Sequence, residues 1–217
     1  MLFDQVSRVV WRASSELLRI GITGGIGSGK STICKIFEKT GIPIFSADSA
    51  AHQVSNGDQD VRRRILKLLG DKAYNARGEL DRSFVAGEVF SNPDTLKGLN
   101  RIIHPRVLAM AEKFGRTAVG APFWIAEAAL MYESGLHKKL DYIIVVTASE
   151  EERVRRVMQR DGVTGDIVRR RMEYQLSDEE LRANADFILM NDGDLDHLQE
   201  RVNFFLLLFS KIPSKMA

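Results

Sequence analysis

The chain has 217 residues, of which 44% are hydrophobic and 28% are charged. This composition is ordinary for a globular protein, and a chain of this length can bury a sizeable core without disulfides or a structural metal. The 31 basic and 29 acidic residues give a formal net charge of +2. We therefore expect neither nucleic acid nor a membrane as a partner, and the sequence leaves the oligomeric state open.

The single cysteine, Cys34, excludes a disulfide within the chain and fits a reducing, cytoplasmic setting. No apolar stretch approaches the roughly 20 residues that span a bilayer. Residues 1–18 include both acidic and basic side chains and lack the long apolar core of a secretory signal. We interpret residues 1–18 as an N-terminal extension and residues 19–217 as the folded domain.

Short apolar runs alternate with longer helical patterns, which predicts a parallel sheet covered by helices. In chain order, strands are predicted at residues 18–23, 43–45, 123–126, 142–147 and 187–190. The serines at 149 and 177 each precede a glutamate by three residues, a pattern typical of a helix start. Residues 48–120 read as mainly helical, so we interpret them as an acceptor-binding lobe and residues 149–184 as a lid region.

The strongest local signal is a glycine-rich loop between the first predicted strand and a helix that begins at about Gly29. Residues 24–31 spell G-G-I-G-S-G-K-S, the pattern of a phosphate-binding loop (P-loop). Its main-chain N–H groups and the helix N-terminus suit phosphate oxygens. Lys30 is expected to reach the β- and γ-phosphates and Ser31 to bind Mg²⁺. The predicted nucleotide-binding residues are Gly25, Ile26, Gly27, Ser28, Gly29, Lys30, Ser31 and Thr32.

Asp48 follows the second predicted strand, at the edge of the sheet where ligands bind in open α/β folds. It could accept the proton of an acceptor hydroxyl or position that hydroxyl. It could equally be the N-cap of the helix that follows, and the local pattern leaves both open. Glu127, after the third predicted strand, is a candidate acid for Mg²⁺ or for its water.

Two further signals are less specific. The sequence His104-Pro105 interrupts a helical pattern and predicts a junction between helices. Arginine side chains suit phosphate and could form a lid, although a run of charges is more often a solvated helix face. The arginines in question are Arg153, Arg155, Arg156, Arg160, Arg169, Arg170 and Arg171.

Taken in this order, the motifs resemble the dephospho-CoA kinase family over nearly all of residues 18–202. The runs that carry the resemblance are residues 22–32, Ala47-Asp48, Leu80-Asp81-Arg82, His104-Pro105, Tyr132-Glu133, Glu152-Arg153, Arg160, Arg171, Gln175, Ala185-Asp186 and Asn191.

The resemblance implies an α/β P-loop NTPase fold with a five-stranded parallel sheet, and transfer of phosphate from ATP to the ribose 3′-hydroxyl of dephospho-CoA. By motif, Asp48 would be the acceptor-side acid or base, and Arg160 the lid arginine near the transferring phosphate. Arg82 and His104 would bind the acceptor. Asn191 would lie on the nucleotide side, near the adenine.

Two motifs depart from the family pattern. Ser46-Ala47-Asp48 stands where the family usually has Asp-Ala-Asp, and residues 127–129 read Glu-Ala-Ala where it has Asp-x-Pro. The second carboxylate of the first motif is retained as Asp48. Glu127 would have to reach the metal with a longer side chain from a backbone without the proline. The alternatives are another small-molecule P-loop kinase or a nucleotide sensor without kinase activity. A GTPase is disfavoured because no Asn-Lys-x-Asp motif is present.

Overall fold

The computed structural model describes residues 17–212, so most of the predicted N-terminal extension lies outside the described residues. Five parallel strands form one sheet in the order β2-β3-β1-β4-β5. They are β1 (Leu18–Thr23), β2 (Ile44–Ser46), β3 (Phe123–Glu127), β4 (Tyr142–Thr147) and β5 (Phe187–Met190). The predicted fold class is therefore confirmed. The predicted bounds of β1, β4 and β5 are correct, whereas β2 begins and ends one residue later and β3 extends one residue further.

Helices cover both faces of this sheet. The bounds are α1 (Lys30–Lys39), α2 (Ala47–Gly57), α3 (Gln59–Leu69), α4 (Arg82–Ser91), α5 (Pro93–Thr117), α6 (Glu150–Asp161), α7 (Gly165–Met172), α8 (Asp178–Ala183) and α9 (Leu195–Phe209). Within residues 17–212, none of the helices is both long and apolar enough to cross a membrane.

The sheet is buried on both faces because its strands are almost continuously apolar. On one face, α1 and α9 pack against residues such as Ile22 and Phe123. On the other face, α2 and α5 pack against residues such as Trp124 and Val145. This two-sided burial holds β1 in the centre of the sheet, between β3 and β4.

Helices α2 to α5 form the predicted helical excursion between β2 and β3, and they have an apolar cluster of their own. The cluster includes Val61 and Ile65 of α3, both fully buried. Ser46 accepts a hydrogen bond from the N–H of Ser49 and is the N-cap of α2. The alternative interpretation of Asp48 as that N-cap is thus wrong, because α2 begins at Ala47, directly after the last residue of β2, and Asp48 is already inside its first turn.

The predicted helix junction at His104-Pro105 is also wrong. Helix α5 continues from Pro93 to Thr117 with Pro105 in its interior. A proline removes one main-chain hydrogen bond and crowds the preceding turn. Here Ile102 and Val107, on either side of it, are buried in two apolar clusters. Packing of a long helix against the sheet and the lobe therefore overrides the local preference for a break.

Candidate active site

The glycine-rich loop connects the central strand β1 to α1, as predicted. Gly29 is the N-cap of α1 and has φ of +97°, a left-handed conformation that favours glycine. A Cβ atom at this position would overlap the side-chain nitrogen of Asn191. The loop is therefore held close to the end of β5, and the N-terminus of α1 is directed into the site at the carboxyl edge of the sheet.

Lys30, the first residue of α1, folds its side chain back over the loop. Its Nζ donates hydrogen bonds to the carbonyl oxygens of Gly24 at 2.7 Å and Gly25 at 3.2 Å. Burial lowers the pKa of Lys30, while the negative charges of Glu127 and Asp48 act in the opposite direction. The ammonium group thus lies beside the loop and within electrostatic reach of both predicted acids.

Ser31 and Glu127 are joined directly. The Ser31 hydroxyl donates a hydrogen bond to Oε1 of Glu127 at 2.8 Å. Glu127 is the last residue of β3, and its Cα partners are Ile22 in β1 and Ser46 in β2. The two departures from the family pattern, Ser46 and Glu127, are therefore neighbours in the sheet. The Ser46 side chain caps α2, and the Glu127 carboxylate reaches the first turn of α1.

Asp48 lies in the first turn of α2, the first helix of the lobe. Its carboxyl group is the contribution of the lobe to the cluster around Lys30. The residue is exposed, yet enough protein surrounds its carboxyl group for desolvation to raise its pKa. Lys30, a hydrogen bond from the Ala129 amide and the charge of Arg82 oppose that rise in the pKa of Asp48. The sequence-predicted residues Lys30, Asp48, Glu127 and Arg82 therefore converge, although they come from four separate segments.

Asn191 is buried and braces the loop from the end of β5. Its Nδ2 donates a hydrogen bond to the carbonyl of Ser28 at 2.7 Å. The main-chain carbonyl of Asn191 accepts a hydrogen bond from Nη2 of Arg156 at 2.8 Å. These contacts place Asn191 against the nucleotide-binding loop, and the contact with adenine that the resemblance implies stays a prediction.

Arg153 has a position that the sequence did not reveal. Its guanidinium group is buried, forms an ion pair with Asp178 and contacts the sulfur of Met172 at 3.4 Å. A Cβ atom on Gly25 would overlap this guanidinium group, and one on Gly27 would overlap the Arg153 main chain. Arg153 thus supports the loop from the side of α6. Only tertiary packing distinguishes it from its exposed neighbour Arg155.

Two predicted residues, Arg160 and His104, make no observed contact with the cluster around Lys30. Arg160, at the end of α6, is exposed and pairs with Asp161, which also pairs with Arg171. His104 is partly buried on α5, and burial lowers its pKa. Their proposed contacts with phosphate and acceptor stay predictions.

The nucleotide-binding loop and Asp48 of the helical lobe both lie near Lys30. This arrangement suits transfer of a phosphoryl group from a nucleotide on the loop to an acceptor bound by the lobe. Fold and site together define a small-molecule kinase of the P-loop class. The family model of dephospho-CoA kinases matches residues 18–197. The chain belongs to that family.

The chain is similar to individual proteins over most of its length. The dephospho-CoA kinase of Salinibacter ruber is 39% identical over 184 residues, which cover 84% of this chain and 92% of the relative. The crystal structure of TT1252 from Thermus thermophilus has a TM-score of 0.76 and 34% identity, and the match covers 89% of this chain and 98% of that one. The dephospho-CoA kinase of Campylobacter jejuni has a TM-score of 0.66 and 25% identity, with 89% and 97% covered.

Proposed function

We propose that the protein transfers the γ-phosphoryl group of ATP to the ribose 3′-hydroxyl of dephospho-CoA, giving CoA and ADP. The observation that carries this proposal is the convergence of Asp48 and Lys30 at one edge of the sheet. Asp48 lies in the first turn of α2, which begins directly after the strand residue Ser46. Ser46 pairs with Glu127, and Glu127 is hydrogen-bonded to Ser31, the neighbour of Lys30. Phosphoryl transfer needs an acceptor oxygen in line with the leaving group and positive charge around the phosphate. Asp48 would serve the acceptor and Lys30 the phosphate.

Asp48 would accept the proton of the 3′-hydroxyl, and a raised pKa makes its carboxylate a better base than an ordinary aspartate. Lys30 would bind the β- and γ-phosphates and offset the charge that develops between them. Arg82, which acts on the pKa of Asp48, would bind the acceptor near its reacting end. His104 and Arg160 would assist from the lobe and the lid region.

Ser31 and Glu127 fit Mg²⁺, because both offer oxygen atoms and their side chains already contact each other. Within residues 17–212, no group of three His, Cys, Asp or Glu side chains could hold a metal ion by itself. Mg²⁺ commonly uses one or two protein ligands together with substrate phosphates and water. When bound, it would neutralise phosphate charge during the transfer.

Replacing Glu127 with Gln tests this metal assignment. We expect the Mg²⁺ concentration for half-maximal turnover to rise about 10–100-fold, the usual effect of losing a residue that supports a metal site. Turnover should recover largely at saturating Mg²⁺. Glu38→Gln, at an exposed position of α1, is the matched control and should leave the Mg²⁺ titration unchanged. A Glu127→Gln enzyme with the wild-type Mg²⁺ requirement would remove Glu127 from the metal site.

The acceptor is tested by measuring ADP release from ATP and Mg²⁺ with a panel of hydroxyl acceptors. Dephospho-CoA should stimulate ADP release, whereas AMP, CMP, uridine and shikimate should not. Phosphorylation at the 3′-hydroxyl is then checked on the isolated product. Stimulation by another acceptor in place of dephospho-CoA would indicate a different small-molecule kinase. Nucleotide binding without phosphoryl transfer to any of these acceptors would favour a nucleotide sensor without kinase activity.

We also propose that the protein acts in the cytoplasm without nucleic acid or membrane as a partner. The buried, unbridged Cys34 suits a reducing compartment. The nearly balanced net charge gives little long-range attraction to nucleic acid or to an anionic membrane surface.

A further inference from the structure

One hydrogen bond joins the lid region directly to the nucleotide loop. The main-chain N–H of Ile26 donates to Oε1 of Gln175 at 2.7 Å. Gln175 lies in the link between α7 and α8, where its own N–H donates to the carbonyl of Met172 at 3.0 Å. Because a main-chain nitrogen can only donate, the acceptor must be the amide oxygen of Gln175. The Nε2 of Gln175 therefore carries the donor hydrogens of the side chain.

The contact lies at the end of the loop that receives the terminal phosphate. The Lys30 ammonium group, which reaches the β- and γ-phosphates in such loops, hydrogen-bonds the carbonyls of Gly24 and Gly25. The peptide bond that follows Gly25 supplies the Ile26 N–H. Gln175 is consequently attached beside the lysine that would hold the phosphate to be transferred.

The segment that carries Gln175 is docked on the loop by other contacts as well. Arg153, which fills the space behind Gly25, pairs with Asp178 of α8 and contacts Met172 of α7. The Ile26 side chain packs on an apolar cluster formed by α6 and α7, namely Val154, Val157 and Val168. The helices on either side of Gln175 are therefore held at the loop by contacts that do not depend on its side chain.

We propose that Gln175 is a positioning residue that makes the loop favour a nucleoside triphosphate over a diphosphate. Its Oε1 fixes the Ile26 peptide, and its Nε2 donates to an oxygen of the terminal phosphate. A hydrogen bond to a charged phosphate oxygen is stronger than one between neutral groups, so the terminal phosphate gains most from it. A diphosphate has no group at that position. This inference rests on the proposed kinase function, because it concerns the phosphate that is transferred.

Two substitutions separate the acceptor from the donors of this side chain. Gln175→Leu removes both at similar volume, whereas Gln175→Glu keeps an acceptor for Ile26 and replaces the donors with a negative charge. Binding of a non-hydrolysable ATP analogue and of ADP, each with Mg²⁺, is measured by calorimetry. In both variants we expect the analogue to bind at least about tenfold more weakly, the scale of one hydrogen bond to a charged group. ADP affinity should change much less.

Amide hydrogen exchange of Ile26, followed by NMR, tests the other half of the contact. The Ile26 amide should be protected in the wild type and in Gln175→Glu, and should exchange faster in Gln175→Leu. If Gln175→Leu does not fold, Gln175→Glu still reports the preference for triphosphate. Gln159→Leu is the matched control, since Gln159 is an exposed glutamine of α6 that contacts Arg155. It should leave both nucleotide affinities unchanged.

Equal losses of ADP and of the ATP analogue would assign Gln175 a structural role only and overturn the proposal. Unchanged binding of the ATP analogue in Gln175→Glu would overturn it too, because a negative charge beside the terminal phosphate must repel it. Binding is measured without any acceptor. Failure of dephospho-CoA in the acceptor panel therefore leaves this inference standing, and failure of the inference leaves the acceptor assignment standing.

Discussion

Replacing Asp48 with Asn should lower turnover by about 10²–10⁴-fold, the usual contribution of a general acid or base. Asparagine can still accept the hydrogen bond from the Ala129 amide, so the backbone around position 48 should not change. ATP affinity should stay within a few-fold, because the carboxylate belongs to the acceptor side. Initial rates at saturating ATP and dephospho-CoA, together with nucleotide binding by calorimetry, separate these two effects.

The stability of Asp48→Asn gives an independent check. Desolvation raises the folded-state pKa of Asp48 above its ordinary value of 3.8. The folded protein therefore binds this proton more tightly than the unfolded chain does, and the contribution of Asp48 to stability falls as pH rises from about 3.8 through the folded-state pKa. At pH 7, Asp48→Asn should thus melt at the same temperature as the wild type or higher, and below pH 3.8 this advantage should disappear.

The pH dependence of turnover follows from the same pKa. Wild-type turnover should fall at acidic pH with an apparent pKa above 3.8, because the protonated carboxyl group of Asp48 cannot act as a base. The pH–rate profile of Asp48→Asn should lack this acidic limb. Asp94→Asn is the matched control, because Asp94 also lies in the first turn of its helix and its side chain is exposed. Unchanged turnover in Asp48→Asn would exclude the residue from the chemical step.

Local signals predicted the parts of this protein that local chemistry determines. The nucleotide loop was found because glycines, Lys30 and Ser31 must follow one another at fixed spacing between a strand and a helix. The strands were found because a sheet buried on both faces needs continuous apolar runs. The meeting of Lys30 with Asp48 and Glu127 follows from strand order, since β1, β2 and β3 end at the same edge of the sheet.

Features decided by tertiary packing could not be predicted in this way. Ser46 and Asp48 are both good helix caps, and only the end of β2 determined which of them caps α2. Pro105 stays inside a helix because the flanking apolar side chains are buried. Arg153 belongs to a run of charges whose usual position is a solvated face, and its inward orientation depends on the glycines that it packs against.

Replacing Lys30 with Ala should lower turnover by about 10²–10³-fold, the scale of losing one preorganised group that stabilises charge in the transition state. Lys30→Arg keeps the charge, but a planar fork cannot occupy the position of a compact ammonium group beside the carbonyls of Gly24 and Gly25. We expect it to recover only part of the rate. Lys35→Ala, on the exposed face of the same helix, is the matched control and should retain wild-type turnover.

The same substitution should also change the titration of Asp48. Lys30 lowers the pKa of Asp48, so its removal should raise that pKa further. The acidic limb of the pH–rate profile of Lys30→Ala should therefore move to higher pH than in the wild type. Because the two residues act on one transfer, the double variant with Asp48→Asn should lose less than the product of the two single losses. An unmoved limb and independent losses would mean that Lys30 and Asp48 serve separate sites.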